Sequence, residues 1–375
     1  MNLHTPKISV IVPIYNVEPY IDECMRSLVT QTLHDIEIVC VDDCGTDKSM
    51  DIVRKYADAD NRIKIIKNKQ NQGLSTTRNV GLDNSDAEYI MFCDPDDWFD
   101  VDMCKKMYDT ITRDKTDIVM CGINIIYQSD ISQRKSDKSY YKIRFLGKHA
   151  VSDRLILKCD VSVCNKIFRR DIIEKHNVRF PDGLKYEDAY FWYAYTLWAK
   201  DISFIDQKLY NYVRHDGSIM NATFSGKCNF ASDHLYIAIR YHEYLAQNNL
   251  LGQKQDLFWS HMFIHYLDSA LTHSKQENDT IQIARDFIVN NVPAKLPMHT
   301  AKYIETFYRS GALPNGYHKI FFGLIKIKNT PSSIKIKLLG VPVWRVKYFD
   351  NRERFDLFAF IPVWVRKSPM VRVNL

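Results

Sequence analysis

No pair of cysteines in the chain has the C-x-x-C spacing, no cysteine and histidine set has the spacing of a zinc site, and no run of 18 apolar residues occurs. The nine cysteines lie between Cys24 and Cys228 of a 375-residue chain. A chain of that size needs no disulfide staples, so they read as reduced thiols in a cytosolic setting. Met1 to Lys7 is polar and the apolar run that follows, Ile8 to Ile14, is only strand length. The expectation is a cytoplasmic protein with neither a signal peptide nor a spanning helix. In that setting the two Asn-x-Thr triplets, at Asn221 and Asn278, carry no weight as glycosylation acceptors. The phosphate-binding patterns G-x-x-x-x-G-K and G-x-G-x-x-G are also missing, which argues against P-loop enzymes and dinucleotide-dependent dehydrogenases.

What is present is the balance of a folded chain, 46% hydrophobic and 26% charged residues, too apolar for extensive disorder. The length suits one large domain with a smaller appendage. The formal charge of +6 is unevenly placed. From His318 to Leu375 there are 12 Lys and Arg against 3 Asp and Glu, so the basic character belongs to the tail and the rest is slightly acidic. Nucleic acid is not an expected partner.

Five β-branched runs read as strands: Ile8 to Val12, Ile36 to Val41, Ile63 to Ile66, Tyr89 to Phe92 and Asp117 to Cys121. Helical stretches near 20–30, 47–58, 75–83 and 101–113 alternate with them. This alternation predicts an α/β domain with right-handed crossovers and a mostly parallel central sheet buried on both faces. Ligands of such sheets gather at the carboxyl ends of the strands. The pattern loosens from about 126 to 160, helical patterning returns at Tyr186 to Ala199, and short strands are expected at Ile202 to Ile205 and Lys208 to Val213. An all-helical region then runs from about 229 to 310. In the tail, the run from Leu338 to Trp344 nearly repeats in Leu357 to Trp364, which predicts a hairpin turned at Asp350-Asn351. Each half carries a proline and reads as an edge or bulged strand. The expected domains are therefore residues 1–225, a helical region 226–317, and a basic β-hairpin tail 318–375.

The strongest chemical signal is Phe92-Cys93-Asp94-Pro95-Asp96-Asp97-Trp98, three carboxylates in four residues directly after an apolar strand. Carboxylates so close repel unless a cation neutralises them, and hard divalent metals take carboxylate together with diphosphate oxygens. An acidic turn that caps the next helix through Asp97 or Asp100 is the plainer alternative. Val12-Pro13-Ile14-Tyr15-Asn16 puts a proline and an aromatic at the end of the first strand, where they suit a flat nucleobase. Val41-Asp42-Asp43 ends the second strand with two acceptors for a base imide or ribose hydroxyl. Gly73, the hydroxyls of Ser75 to Thr77, and Arg78 open a helix in the manner of an anion cradle.

These motifs in this order resemble family 2 glycosyltransferases of the GT-A fold, over roughly residues 7–220, and are similar to bacterial members that build surface polysaccharides and lipid-linked glycans. The resemblance implies that Pro13 and Tyr15 flank a uracil, that Asp43 with Asp42 bonds the base, and that Gly73 and Arg78 lie near the donor. It implies that Asp94 meets ribose and metal, that Asp96 ligates a divalent Mn²⁺ or Mg²⁺, and that His215, in Tyr212-Val213-Arg214-His215-Asp216-Gly217-Ser218, is a further metal ligand. Tyr186-Glu187-Asp188 looks like the family's acidic pair, with Asp188 as the catalytic base of an inverting transfer. Lys166, Glu187, Arg214 and Ser218 would border the diphosphate or the acceptor. The implied partners are a UDP-sugar and a glycan or lipid-linked acceptor, with a homo-oligomer as an open expectation. The Lys, Ile and Trp of the tail suit an anionic membrane surface on the inner face of the cytoplasmic membrane; packing on the protein itself is the alternative. Two competing readings stand beside this one. One is a nucleotidyltransferase acting on sugar phosphates, against which Val12 to Asn16 shows neither glycine nor a basic residue. The other is a non-catalytic membrane-binding scaffold.

Overall fold

The computed structural model describes residues 5–127, 136–137, 145–215, 217–218, 230–273, 277–311 and 370–373, together with the backbone of six strands between 316 and 367. Two compact units divide the chain, Met1–Ala222 and Thr223–Leu375.

The first unit is built on one sheet. Strands β1 (Ile8–Ile14), β2 (Ile36–Asp42), β3 (Ile63–Lys67) and β4 (Tyr89–Phe92) are the first four expected runs, and they lie parallel in the order β3-β2-β1-β4. Helices α1 (Ile21–Val29), α2 (Ser49–Ala59) and α3 (Leu74–Asp83) make the crossovers between them. Every residue of β1, β2 and β4 is buried, as a sheet covered on both faces requires, whereas β3 at the edge is half-exposed. Pro13 is tolerated within β1 because β4 pairs only with Ile8 to Ile11; beyond that point one side of the strand needs no ladder donor. The same divergence opens the carboxyl end of the sheet.

Beyond β4 the chain runs through β5 (Trp98–Phe99), α4 (Met103–Asp114), β6 (Ile118–Tyr127), β7 (Ser136–Asp137), β8 (Gly147–Ala150), α5 (Asp153–Ile156), β9 (Lys166–Arg169), α6 (Arg170–Lys175), α7 (Glu187–Thr196) and β10 (Asp201–Arg214). The short β9 inserts antiparallel between β4 and β6, a reversal that the sequence pattern does not announce. Residues 201–214 form one strand rather than the two expected, pairing parallel with β6 across register shifts between Phe204 and Tyr210. Phe92, Phe168, Phe180 and Phe191 pack edge-on or stacked at centroid distances of 4.4–6.3 Å. Such a fully buried ring is worth about 1.5–3 kcal/mol, and this cluster forms the floor under the acidic residues described below.

The second unit holds α8 (Asp233–Gln247), α9 (Leu251–Leu257), a π-helical turn at Phe258–Phe263, α10 (Ile264–His273), α11 (Glu277–Asn291) and α12 (Met298–Ser310). A short pair joins β11 (Lys295–Pro297) to β18 (Met370–Arg372). Between them, where a single hairpin was expected, the backbone makes six antiparallel strands: β12 (Gly316–Ile320), β13 (Ile325–Thr330), β14 (Ser333–Leu338), β15 (Val341–Phe349), β16 (Arg352–Leu357) and β17 (Ile361–Lys367). The two near-repeats do not pair with each other as expected: they fall mainly on β15 and β17, which flank β16 on either side; the expected turn at Asp350-Asn351 lies outside the described residues, as does Asn221.

Candidate active site

Three acids from distant parts of the chain meet on one guanidinium. Arg78 projects from α3 and is 1% exposed. Its Nη1 donates to Glu187 and to Asp188 at 2.6 Å each, and its Nη2 donates to Asp94 at 2.6 Å. Asp94 follows β4, whereas Glu187 and Asp188 open α7. The turn before α7 is held in place by α3: Ser75 bonds the Leu184 carbonyl, Thr76 bonds Asp182, and Asn79 bonds both the carbonyl and the N–H of Phe180. Gly183 (φ +75) and Tyr186 (φ +63) turn the chain into α7. Below the guanidinium lies the ring of Phe180, 5.3 Å away.

The electrostatics follow from burial. Arg78 would lose charge on burial, but Asp188, Asp94 and Glu187 hold it firmly cationic. Burial pushes Glu187 up to about 7, against the pull of Arg78 and with a further push from Asp188. Asp188 is raised too, by burial first, with Arg78 opposing. Its second oxygen accepts the Val163 N–H at 3.2 Å, and its side chain stays 22% exposed, against 5% for Glu187. Asp188 is therefore a fixed, solvent-reachable carboxylate, and Glu187 is its buried companion.

On the other side of Asp94, Asp96 and His215 meet: the imidazole Nε2 lies 2.9 Å from Asp96 Oδ2, and the His215 ring packs on Tyr20 at 4.6 Å. Among the described residues no group of three or more His, Cys, Asp or Glu side chains is gathered for a metal ion. Asp96 and His215 come together as the resemblance implies, whereas Asp94 is turned to Arg78. A partly exposed carboxylate and imidazole fit a hard cation that fills its shell with diphosphate oxygens and water rather than one enclosed by protein ligands.

The nucleotide-side residues divide. Tyr15 is 47% exposed beyond β1, but Pro13 is buried within the strand. Asp42 is buried, and its Oδ1 accepts the N–H of Cys44. Asp43 accepts from Asn68 Nδ2 and the Gln72 N–H through Oδ1, each at 2.8 Å, and from the Gly73 N–H through Oδ2 at 2.9 Å. Its carboxylate thus shapes the 68–73 loop, and Gly73 supplies the positive φ of +83 at the start of α3. Lys166 is fully buried; its Nζ bonds the Ser162 carbonyl and Asn165 Oδ1 and lies 4.8 Å over the Trp192 ring. Burial pulls its pKa down. It supports the loop behind Asp188. Arg214 and Ser218 are half-exposed on either side of His215, and the Ser218 N–H returns to the His215 carbonyl.

The sequence pattern offered Asp97 only as a helix cap and gave no sign of Tyr210. Asp97 does not cap α4: both its oxygens turn inward, to Tyr210 and to the Val213 N–H. The run of acids drew notice to Asp97 but not to its partner, and nothing near Tyr210 signals a site.

A largely parallel sheet with this acidic loop after its fourth strand and an acidic pair opening a later helix is the GT-A arrangement. Residues 9–176 match the model of the family described as Glycosyl transferase family 2. The chain is 36% identical over 231 residues to the Bacillus subtilis (strain 168) protein described as "Putative glycosyltransferase EpsH", covering 58% of this chain and 64% of that protein. It is 31% identical over 229 residues to the poly(ribitol-phosphate) beta-glucosyltransferase of Bacillus spizizenii, covering 60% of this chain and 35% of that protein. The chain thus spans less than two thirds of the length of either relative. Among solved structures, the S. aureus TarS 1–349 complex with UDP-GlcNAc superposes with a TM-score of 0.54 at 22% identity, over 84% of this chain and 95% of that one, a likeness of fold.

Proposed function

We propose that this protein is an inverting glycosyltransferase that moves a sugar from a UDP-sugar to a hydroxyl of a bacterial surface or lipid-linked glycan. The convergence of Asp94, Glu187 and Asp188 on buried Arg78 carries the reading. It fixes one carboxylate toward solvent at the carboxyl edge of the sheet, next to the loop that would hold the donor. Asp188 removes the acceptor proton as the hydroxyl attacks the anomeric carbon from the face opposite the leaving diphosphate. Arg78 keeps Asp188 oriented, and Glu187 takes up the charge imbalance in its buried position. Tyr15 offers a ring to the base, and Asp43 with Gly73 shapes the loop beside it. Asp96 and His215, with Asp94, would hold a divalent Mn²⁺ or Mg²⁺, which when bound offsets charge on the departing diphosphate. The EpsH and poly(ribitol-phosphate) glucosyltransferase relatives support the transfer class, and the UDP-GlcNAc bound by TarS supports the donor class.

Residues 1–225 act in this reading as the transferase domain, 226–317 as a helical region, and the basic tail as the part that meets anionic lipid at the cytoplasmic face of the membrane. Release of UDP across a panel of UDP-sugars, with Mn²⁺, Mg²⁺ or chelator, tests the proposal. One donor should turn over in a metal-dependent manner, with inverted anomeric configuration in the product. Retained configuration would remove Asp188 as the base, and absence of UDP binding with or without metal would remove the transferase.

A further inference from the structure

We infer that Asp97 and Tyr210 are positioning residues whose bond sets the separation of Asp96 from His215, and with it the donor pair offered to a divalent cation. The inference rests on the metal reading above but concerns groups that reading does not use.

Asp97 follows Asp96 directly and is 1% exposed. Its Oδ2 accepts from the Tyr210 hydroxyl at 2.5 Å and its Oδ1 accepts the Val213 N–H at 2.7 Å. The same hydroxyl lies 3.3 Å from the Asp94 N–H, which donates to it. One phenol thus ties both ends of the Asp94 to Asp97 loop to β10, and the Val213 N–H, two residues before His215, ties Asp97 to the same strand. The need for such a tie is visible in β10 itself. Its pairing with β6 shifts register between Phe204 and Lys208 and again between Lys208 and Tyr210, so the ladder from the strand's start does not by itself index its end. Past those shifts β10 pairs with β6 again from Tyr210 to Arg214 and is fastened on its other side to the acidic loop's own continuation: Tyr210 pairs with Phe99 and Asn211 with Trp98, Asn211 Nδ2 bonds the Trp98 carbonyl, and the Asp100 N–H bonds the Leu209 carbonyl at 2.7 Å. Val213, Trp98 and Ile126 form a small buried cluster with Tyr20 against it, and Tyr20 carries the His215 ring. Asp97 is the polar centre of this assembly, which holds His215 against Asp96.

Partners that orient metal ligands without touching the metal commonly govern affinity by about tenfold or more. Titration of Mn²⁺ followed by the spectroscopic signal of the free ion, with and without UDP, reads this directly in the full chain. Tyr210→Phe keeps the buried ring and removes only the hydroxyl, and it should weaken Mn²⁺ binding by about tenfold, while kcat at saturating metal changes little. Asp97→Asn, which keeps the volume and an acceptor for the Val213 N–H, is the second variant and should move affinity in the same direction. Tyr195→Phe deletes another buried phenol, one bonded to the Asp117 and Arg169 backbone, and should leave Mn²⁺ affinity unchanged. Wild-type affinity in both site variants overturns the inference while leaving the metal reading intact. An equal loss in Tyr195→Phe overturns it as well, by reducing the effect to general loosening. If the wild-type protein binds Mn²⁺ neither alone nor with UDP, the metal reading and this inference fall together.

Discussion

A single arginine decides what the acidic residues of this site can do. Three carboxylates around one guanidinium leave the cluster short of positive charge, and the shortfall falls on the deepest acid, so Glu187 is pushed up to about 7 by burial. Removing Arg78 strands Glu187 without a cation, and breaking a buried pair from one side costs about 3–5 kcal/mol. Arg78→Met should therefore shift the urea midpoint by that equivalent; a midpoint unchanged from wild type would deny the clamp its structural weight. Asp188→Asn preserves shape and should lower turnover by about 10²- to 10⁴-fold with UDP binding retained, and loss of binding in step with turnover would move Asp188 from base to donor ligand. The pH dependence has opposite signs for activity and stability. The base works only deprotonated, and burial raises Asp188 above its ordinary carboxylate value, so kcat/KM should fall as pH drops. The folded state holds the Glu187 proton more tightly than an unfolded chain with its ordinary value of 4.5, so that contribution favours folding at acid pH and is lost as pH rises from about 4.5 through about 7. A flat kcat/KM across that window would rule the pair out. Asp94 was legible in the sequence because it crowds one turn with Asp96 and Asp97, and Glu187 and Asp188 because they adjoin at a helix start. Their counter-ion was not, because Arg78 reaches Glu187 across 109 positions, and only the packing of α3 against the turn before α7 makes that pair.

At the level of elements, the parallel half of the sheet was readable from β-branched runs bounded by helical stretches, and the structure places β1 to β4 where those runs fall. The antiparallel β9 was not readable as a strand, since Lys-Ile-Phe-Arg is too short to show alternation and its place is set by neighbours distant in sequence. The close fit of α3 to β1 is similarly invisible until the two are stacked. A Cβ on Gly81 would lie 2.3 Å from Cγ2 of Ile11, a fully buried residue in the middle of β1. Gly81→Ala should push α3 off the sheet at a cost of about 1–3 kcal/mol, and because α3 carries Arg78, UDP-sugar turnover should fall along with the melting temperature. An alanine variant that melts and turns over like wild type would show that helix and strand part without consequence.

Over the whole molecule, charge is segregated between the two units, and the register of the second unit's sheet says how. Lys326 faces Lys337 and Lys328 faces Lys335 across β13 and β14, and Lys335 in turn faces Arg345 on β15. In the same register Ile327 pairs with Ile336 and Ile336 with Trp344. The sequence showed the tail's basicity but not this array, because two strands with a proline each do not reveal four more partners. Like charges at directly opposed positions weaken a sheet, and an anion placed against them offsets that repulsion. A planar array suits a surface of phosphates better than a single linear strand of them. Vesicles containing anionic phosphatidylglycerol should therefore bind the full chain, and neutral phosphatidylcholine vesicles should not, with binding lost as salt shortens the Debye length. Each basic residue near such a surface is worth about 1 kcal/mol, so Lys326→Ala and Lys335→Ala should each weaken vesicle binding by about fivefold, with turnover of a soluble acceptor unchanged. Salt-independent binding, or lysine variants that bind like wild type, would turn the tail into a packing or dimer module instead. If soluble polyphosphate displaces the chain from vesicles and also raises turnover, the array is an acceptor site rather than a membrane one.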